Sequence, residues 1–234
     1  APAAECPAET SGSDTALQEA WRRFHRGEFK AAVERARNLG LAGFAVAAKA
    51  TVIYADQLET DEQRQMDLYG QVAERQETVR ERLPDEANAH YFHALALGRY
   101  AQTISIMRAL REGYAGRVRE SLDRTLELEP DHGDAHLALG MYHAEIIGKV
   151  GKLVGGMTYA ADADAARHHL RRARELNPGS PTVLVEYGNG LDALLGKRGL
   201  EDSWAAYREA AAAAPADAME ALDREYALEE LGED

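Results

Sequence analysis

The stretch ELEPDHGDAHLALG at residues 127–140 decides the fold, because its parts recur along the chain. Glu129-Pro130-Asp131 stops one helical run, Ala135-His136-Leu137 opens the next, and Gly140 stands midway along it. Upstream, Leu83-Pro84-Asp85 is followed by Ala89-His90-Tyr91; downstream, Asn177-Pro178-Gly179 and Ala214-Pro215-Ala216 close further runs. Proline has no N–H to give a helix and its ring clashes with the preceding turn, so each of these sites ends an element. The segment between consecutive stops is long enough for two helices, which sets a helix-pair repeat as the unit of the fold.

Within the units the residues resemble the tetratricopeptide repeat. That pattern has a small residue midway along the first helix, small, large and small residues along the second, and proline at the end. Gly140, Ala166, Leu170, Ala173 and Pro178 match it, as do Gly188, Tyr207, Ala210 and Pro215 in the next unit. Ala94, Leu122 and Pro130 match in the preceding unit, with Val118 and Thr125 in place of small residues. Small residues let the two helices of a hairpin approach, and large ones fill the groove between hairpins. The N-terminal third is weaker. Leu17, Ala20, Trp21 and Phe24 form one stripe, Gly27-Glu28-Phe29 a turn, and Ala32, Ala36 and Leu39 a second stripe. Thr60 or Asp61 is the N-cap inside the following unit. The expectation is an all-α chain of antiparallel hairpins in a right-handed superhelix. Its units span about residues 14–40, 41–84, 85–130, 131–178 and 179–215, with a capping helix over 216–231, all in one domain from residue 14 to 234.

Composition agrees. Ala, Leu, Glu and Arg dominate, and no stretch alternates apolar and polar residues with β-branched enrichment. The formal charge of −13 opposes the counterion release that drives nucleic-acid binding, and it disfavours anionic membrane surfaces. No apolar run reaches about 18 residues, so any membrane association would be peripheral. Residues 1–13, with Ala1 first and Thr10-Ser11-Gly12-Ser13 last, read as the flexible tether left after signal-peptide removal, or equally as a trimmed start. Cys6 has no cysteine partner and follows Glu5 rather than leading the chain, so it reads as a free thiol.

Two units exceed the usual length of about 34 residues. The additions, residues 100–117 and 146–161, are rich in apolar side chains, among them Ile104, Met107, Ile147, Val150, Val154 and Met157. Such segments need burial, which predicts that the first helices run on for extra turns, with Gly148, Gly151, Gly155 and Gly156 bending the second. Either the additions fill core or they roof a cavity along the inner face. Placing Ala94, Gly140 and Gly188 at the helix crossings sends Tyr91, Leu95 and Arg99, then Leu137, Met141 and Glu145, then Val185, Asn189 and Asp192 to the concave side. A trough with an apolar middle and polar ends suits an amphipathic small molecule or a partner helix. The candidate binding residues are therefore Tyr91, Leu95, Ile104, Met107, Leu137, Met141, Ile147, Val150, Val154, Met157, Val185 and Asn189.

Catalytic and metal chemistry have little support in the sequence. His90 and His93 share an edge at i, i+3, but no third ligand accompanies them. His136 and His143 are two turns apart, and His168 and His169 diverge. No nucleophile elbow or phosphate loop is present, and Lys149, Lys152 and their glycines lack the Gly-Lys-Ser/Thr ending. No cofactor is expected.

Residues 87–215 are similar to the T component of periplasmic TRAP transport systems. The resemblance rests on the lengthened units, on Leu153-Val154-Gly155-Gly156 ahead of Ala165-Ala166-Arg167-His168-His169-Leu170, and on Asn177-Pro178 followed by Leu184-Val185-Glu186-Tyr187-Gly188. Related helical-repeat proteins share these motifs, among them the family resembling regulators of microtubule dynamics and the helical component of bacterial lipid or sterol transfer systems. The resemblance implies a periplasmic, non-enzymatic accessory that docks a substrate-binding protein and passes an apolar or amphipathic ligand through its bundle. The other reading is a scaffold that grips a peptide or helix on its concave face.

Overall fold

A computed structural model describes residues 10–104 and 106–232, with no account of the side chains at residues 10–13, 106, 107 and 110. Cys6 lies outside the described residues. The regular elements among the described residues are all helices, with no strand among them. They form the stack of antiparallel hairpins that the repeat predicts. The first hairpin pairs α1 (Thr10–His25) with α2 (Phe29–Arg37), and the second pairs α3 (Phe44–Gln57) with α4 (Glu62–Arg82). The third pairs α5 (Ala87–Thr103) with α7 (Tyr114–Leu128) around a short α6 (Ile106–Arg111). The fourth is α8 (Gly133–Tyr159) with α9 (Ala163–Leu176), the fifth α10 (Pro181–Leu195) with α11 (Leu200–Ala212), and α12 (Ala218–Leu231) follows. Helix α1 begins inside the stretch read as tether. None of these helices is long and apolar enough to cross a membrane.

The elements begin and end where short-range chemistry dictates. Asp61 caps α4 by accepting from Arg64 N at 2.8 Å, and Asp162 caps α9 by accepting from Asp164 N and Ala165 N. The recurrent Ala-His pair gains a structural meaning: His90 Nε2 lies 2.9 Å from the Pro84 carbonyl, and His136 Nε2 lies 2.9 Å from the Pro130 carbonyl. Each histidine ties the start of a hairpin to the proline that ended the previous one.

Packing follows the small-large-small pattern. A Cβ on Gly140 would stand 2.7 Å from Leu170 Cγ, and one on Gly188 would stand 2.8 Å from the Tyr207 ring, so glycine is what permits these crossings. Ala166, Leu170, Ala173 and Ala210 are fully buried beneath them.

The two additions behave differently from each other. In the third hairpin the first helix does not run on; α5 stops at Thr103 and the chain turns into the separate α6. In the fourth, α8 does run on to Tyr159, but Gly151 leaves helical geometry at φ 80°, ψ 160°. Of the four glycines expected to bend α8, only Gly151 does so. Gly148 instead allows α10 to approach, since a Cβ there would meet the Ala193 carbonyl oxygen at 2.4 Å.

Helix α12 does more than cover the last hairpin. Ala227, Leu228 and Leu231 join Leu184, Val185 and Tyr207 in the C-terminal core, while Ala218, Met219 and Leu222 join Phe24, Phe29 and Val46 in the N-terminal one. His25 Nδ1 to Asp217 at 2.9 Å adds a polar contact between the two ends of the stack. By joining both ends, α12 narrows the open side of the inner face and leaves a half-open chamber.

Candidate functional site

The inner face holds a half-open cavity of about 410 Å³. Along α8 its lining runs Asp134, Leu137, Ala138, Met141, Glu145 and Lys149, following the inward face turn by turn. Helix α5 contributes Tyr91, Ala94, Leu95 and Arg99 in the same register, and α3 contributes Val52 and Ile53. The middle is thus apolar and both ends carry charge.

At one end Lys49 Nζ stands 3.8 Å from Asp134. Towards the other, Arg99 bridges the stack: it lies 3.2 Å from Asp56 on α3 and 3.0 Å from Glu186 on α10. Gln102 extends this belt by donating to Glu145 at 2.7 Å, and Tyr69 donates its hydroxyl to Asp56. Burial raises the Asp56 pKa, while the Arg99 charge and the Tyr69 hydroxyl pull it down. Burial works against the Arg99 charge too, but the Asp56 and Glu186 carboxylates outweigh it and hold the guanidinium charged. Asp223 on α12, outside the cavity lining, accepts from Gln57 on α3 at 3.2 Å and from the Thr182 hydroxyl on α10. Burial pushes its pKa up to about 6, against the Thr182 hydrogen bond.

Of the residues anticipated from sequence, Tyr91, Leu95, Ile104, Leu137, Met141 and Val150 line the cavity. The Met107 side chain lies outside the described residues. Ile147 is buried beside the chamber, packed with Ala161 and Ala163. Val154 and Met157 are corrected: they face solvent at 49% and 81% exposure, because Gly151 turns the end of α8 away from the inner face. Val185 and Asn189 are corrected too. Val185 packs with Tyr207 and Ala227, and Asn189 accepts the Tyr207 hydroxyl at 2.7 Å. Thr182 and Glu186 take their place in the lining, since α12 covers the part of α10 that a simple register assigns to the concave side. Sequence reasoning placed Arg99 and Glu145 correctly at the polar end. It missed Asp56, Glu186 and Asp223, whose meeting requires elements far apart in the chain.

The histidines hold structural positions. His93 is buried between Ser121 Oγ and the Glu77 carboxylate, each at 2.8 Å. His136 and His169 touch through their Nδ1 atoms at 2.8 Å, and His143 Nδ1 accepts from Asp162 N at 3.2 Å. Among the described residues no group of three or more His, Cys, Asp or Glu side chains is placed to hold a metal ion.

Residues 42–181 match the family described as regulator of microtubule dynamics protein 1-3. That span begins just before α3 and ends at the first residue of α10, so it contains most of the cavity wall. Among solved structures the chain is similar to a thermophilic TPR protein of Thermus thermophilus. The identity is 17%, the likeness covers 92% of this chain and 98% of that one, and the TM-score is 0.65. At that identity the likeness concerns the fold. No curated protein matches the chain.

Proposed function

Because the chain belongs to the regulator of microtubule dynamics protein 1-3 family and folds as stacked tetratricopeptide-type hairpins, we propose that it is a non-enzymatic protein-interaction scaffold gripping an amphipathic peptide segment in its inner chamber. One observation carries this reading: the apolar wall of Leu95, Leu137 and Met141 lies between two charged ends. A peptide can bury an apolar anchor there and meet the Arg99–Glu186 belt with its polar groups. The polar side chains of the belt are tied to one another, which suits recognition better than proton transfer.

Selection of displayed random peptides against the purified chain, followed by calorimetry, tests the proposal. Selected peptides should bind the native chain, and Leu95→Glu or Met141→Arg should weaken binding at least about tenfold, since each places a charge in the apolar wall. Val154→Arg, outside the chamber, should leave affinity unchanged. Circular dichroism verifies that the variants fold. Undiminished binding by both chamber variants overturns the reading.

The chamber's size favours a second reading, as a carrier of an apolar or amphipathic small molecule such as a lipid or sterol. Its volume of about 410 Å³ falls within the range of about 300–1,000 Å³ common to small-molecule pockets. A periplasmic location and a substrate-binding protein as partner accompany this second reading and rest on the motif resemblance alone. Mass spectrometry of lipids extracted from the purified chain separates the readings: a stoichiometric lipid displaced by Met141→Arg supports the carrier, and a lipid-free chain that binds peptide supports the scaffold.

A further inference from the structure

The ionised side chains of the cavity lining do not balance. Two ion pairs do: Lys49 faces Asp134 at 3.8 Å, and Lys149 faces Glu145 at 2.9 Å. The third cation, Arg99, is shared between two carboxylates, Asp56 at 3.2 Å and Glu186 at 3.0 Å. Directly behind them Asp223 has no ion pair among the described residues, and its hydrogen bonds come from the neutral Gln57 and Thr182. Burial first, and then the like charge of Glu186, raise its pKa. The belt between α3 and α10 therefore holds one more carboxylate than cation in the lining, and a further one in the wall behind.

The carboxylates also keep unused acceptors. Arg99 donates to Glu186 Oε1 alone, and the Tyr69 hydroxyl donates to Asp56 Oδ1. Arg99 Nε stands 3.2 Å from Asp56 Oδ2 but makes no hydrogen bond. Glu186 Oε2 and Asp56 Oδ2 are thus without a hydrogen-bond donor among the described residues, and both residues line the cavity. Arg99 lies one helical turn beyond Leu95 of the apolar wall, so an apolar anchor and a charge on one short guest can meet both. An ammonium or guanidinium group has donors and no acceptor, which matches these oxygens; a carboxylate or phosphate would add to the surplus. We propose that the chamber selects a guest with a cation beside its apolar anchor, the lysine or arginine of the gripped segment, held by Glu186 and Asp56. This inference rests on the scaffold reading and names the chemistry of its ligand.

The test takes the peptide most strongly selected by the native chain and varies the residue beside its apolar anchor as Lys, Gln or Glu. Calorimetry is run at pH 7.5, where Asp223 is ionised, and at about 0.15 M salt, where charges beyond about 8 Å are screened. Affinity should fall from Lys to Gln to Glu, by at least about tenfold overall. Glu186→Gln should reduce that gap severalfold. Asp223→Asn, outside the lining, should reduce it less, and Glu81→Gln, exposed on α4, should leave it intact. Thermal melts verify the variants. Equal affinity for the three peptides, a preference for Glu, or a gap that neither Glu186→Gln nor Asp223→Asn reduces overturns the proposal while leaving the scaffold standing. Octylammonium and octanoate serve as free amphiphiles in parallel. Capture of octylammonium but not octanoate by a chain that binds no peptide keeps the charge preference and removes the scaffold; a chain that binds none of these probes removes both.

Discussion

His93, His143 and His169 each sit where a proton is unwelcome. Burial is the main cause in all three, with Arg80 acting on His93, Arg119 on His143 and His136 on His169, and each pKa is lowered to about 4. A lowered pKa in the folded state contributes stability that is complete above the ordinary value of about 6.5 and is lost as pH falls towards 4. The thermal midpoint should therefore decline across that window, and His143→Gln should flatten the decline; an unchanged midpoint between pH 7 and 4 would sink this account. Asp223 has the opposite sign. Its pKa is raised to about 6, so its contribution is present at low pH and lost as pH rises from about 4 through 6. Asp223→Asn should stabilise the fold at pH 7.5 by about 1–2 kcal/mol and leave it unchanged near pH 3.5, as denaturant titrations at the two pH values would read. The histidines were visible in the sequence as residue types, but their partners were not. Nothing in the spacing of His136 and His169 announces a contact across the fourth hairpin.

At the scale of elements, glycines with the same local propensity have opposite consequences. Gly148 and Gly116 are both helical, yet a Cβ at Gly148 would strike the Ala193 carbonyl oxygen, while one at Gly116 would meet nothing within 4 Å. Gly148→Ala should destabilise by about 1–3 kcal/mol by forcing α8 and α10 apart. Gly116→Ala should stabilise by roughly 0.5–1 kcal/mol through the unfolded chain's lost freedom. Chemical denaturation of the pair would expose an error if both moved the same way. Element order, the proline stops and the small-large-small faces were legible because they depend on residues a few positions apart. The fate of the additions was not. Both were expected to extend a first helix and to be buried, whereas one became α6 and the other ended with Val154 and Met157 exposed.

The molecule as a whole is held by contacts between distant hairpins, and Arg99 is the central one. Removing its charge leaves Asp56 and Glu186 facing each other without a cation. Arg99→Met should cost roughly 3 kcal/mol, tempered by partial solvent access, and loosen α3 from α10. Solution scattering should show a larger radius of gyration at moderate temperature, and an unaltered profile with unaltered stability would refute the strut. What the amino-acid sequence determined by itself was the repeat: proline stops, helix pairs, glycine crossings and the inward residues of α5 and α8, all set by 3.6-residue periodicity and short-range sterics. What only the tertiary structure decided was that α12 joins the ends of the stack, that α10 turns Thr182 and Glu186 inward, and that Val154 and Met157 face water. Those outcomes depend on which surfaces meet after the hairpins have stacked, and helical periodicity within one element carries no information about its neighbours.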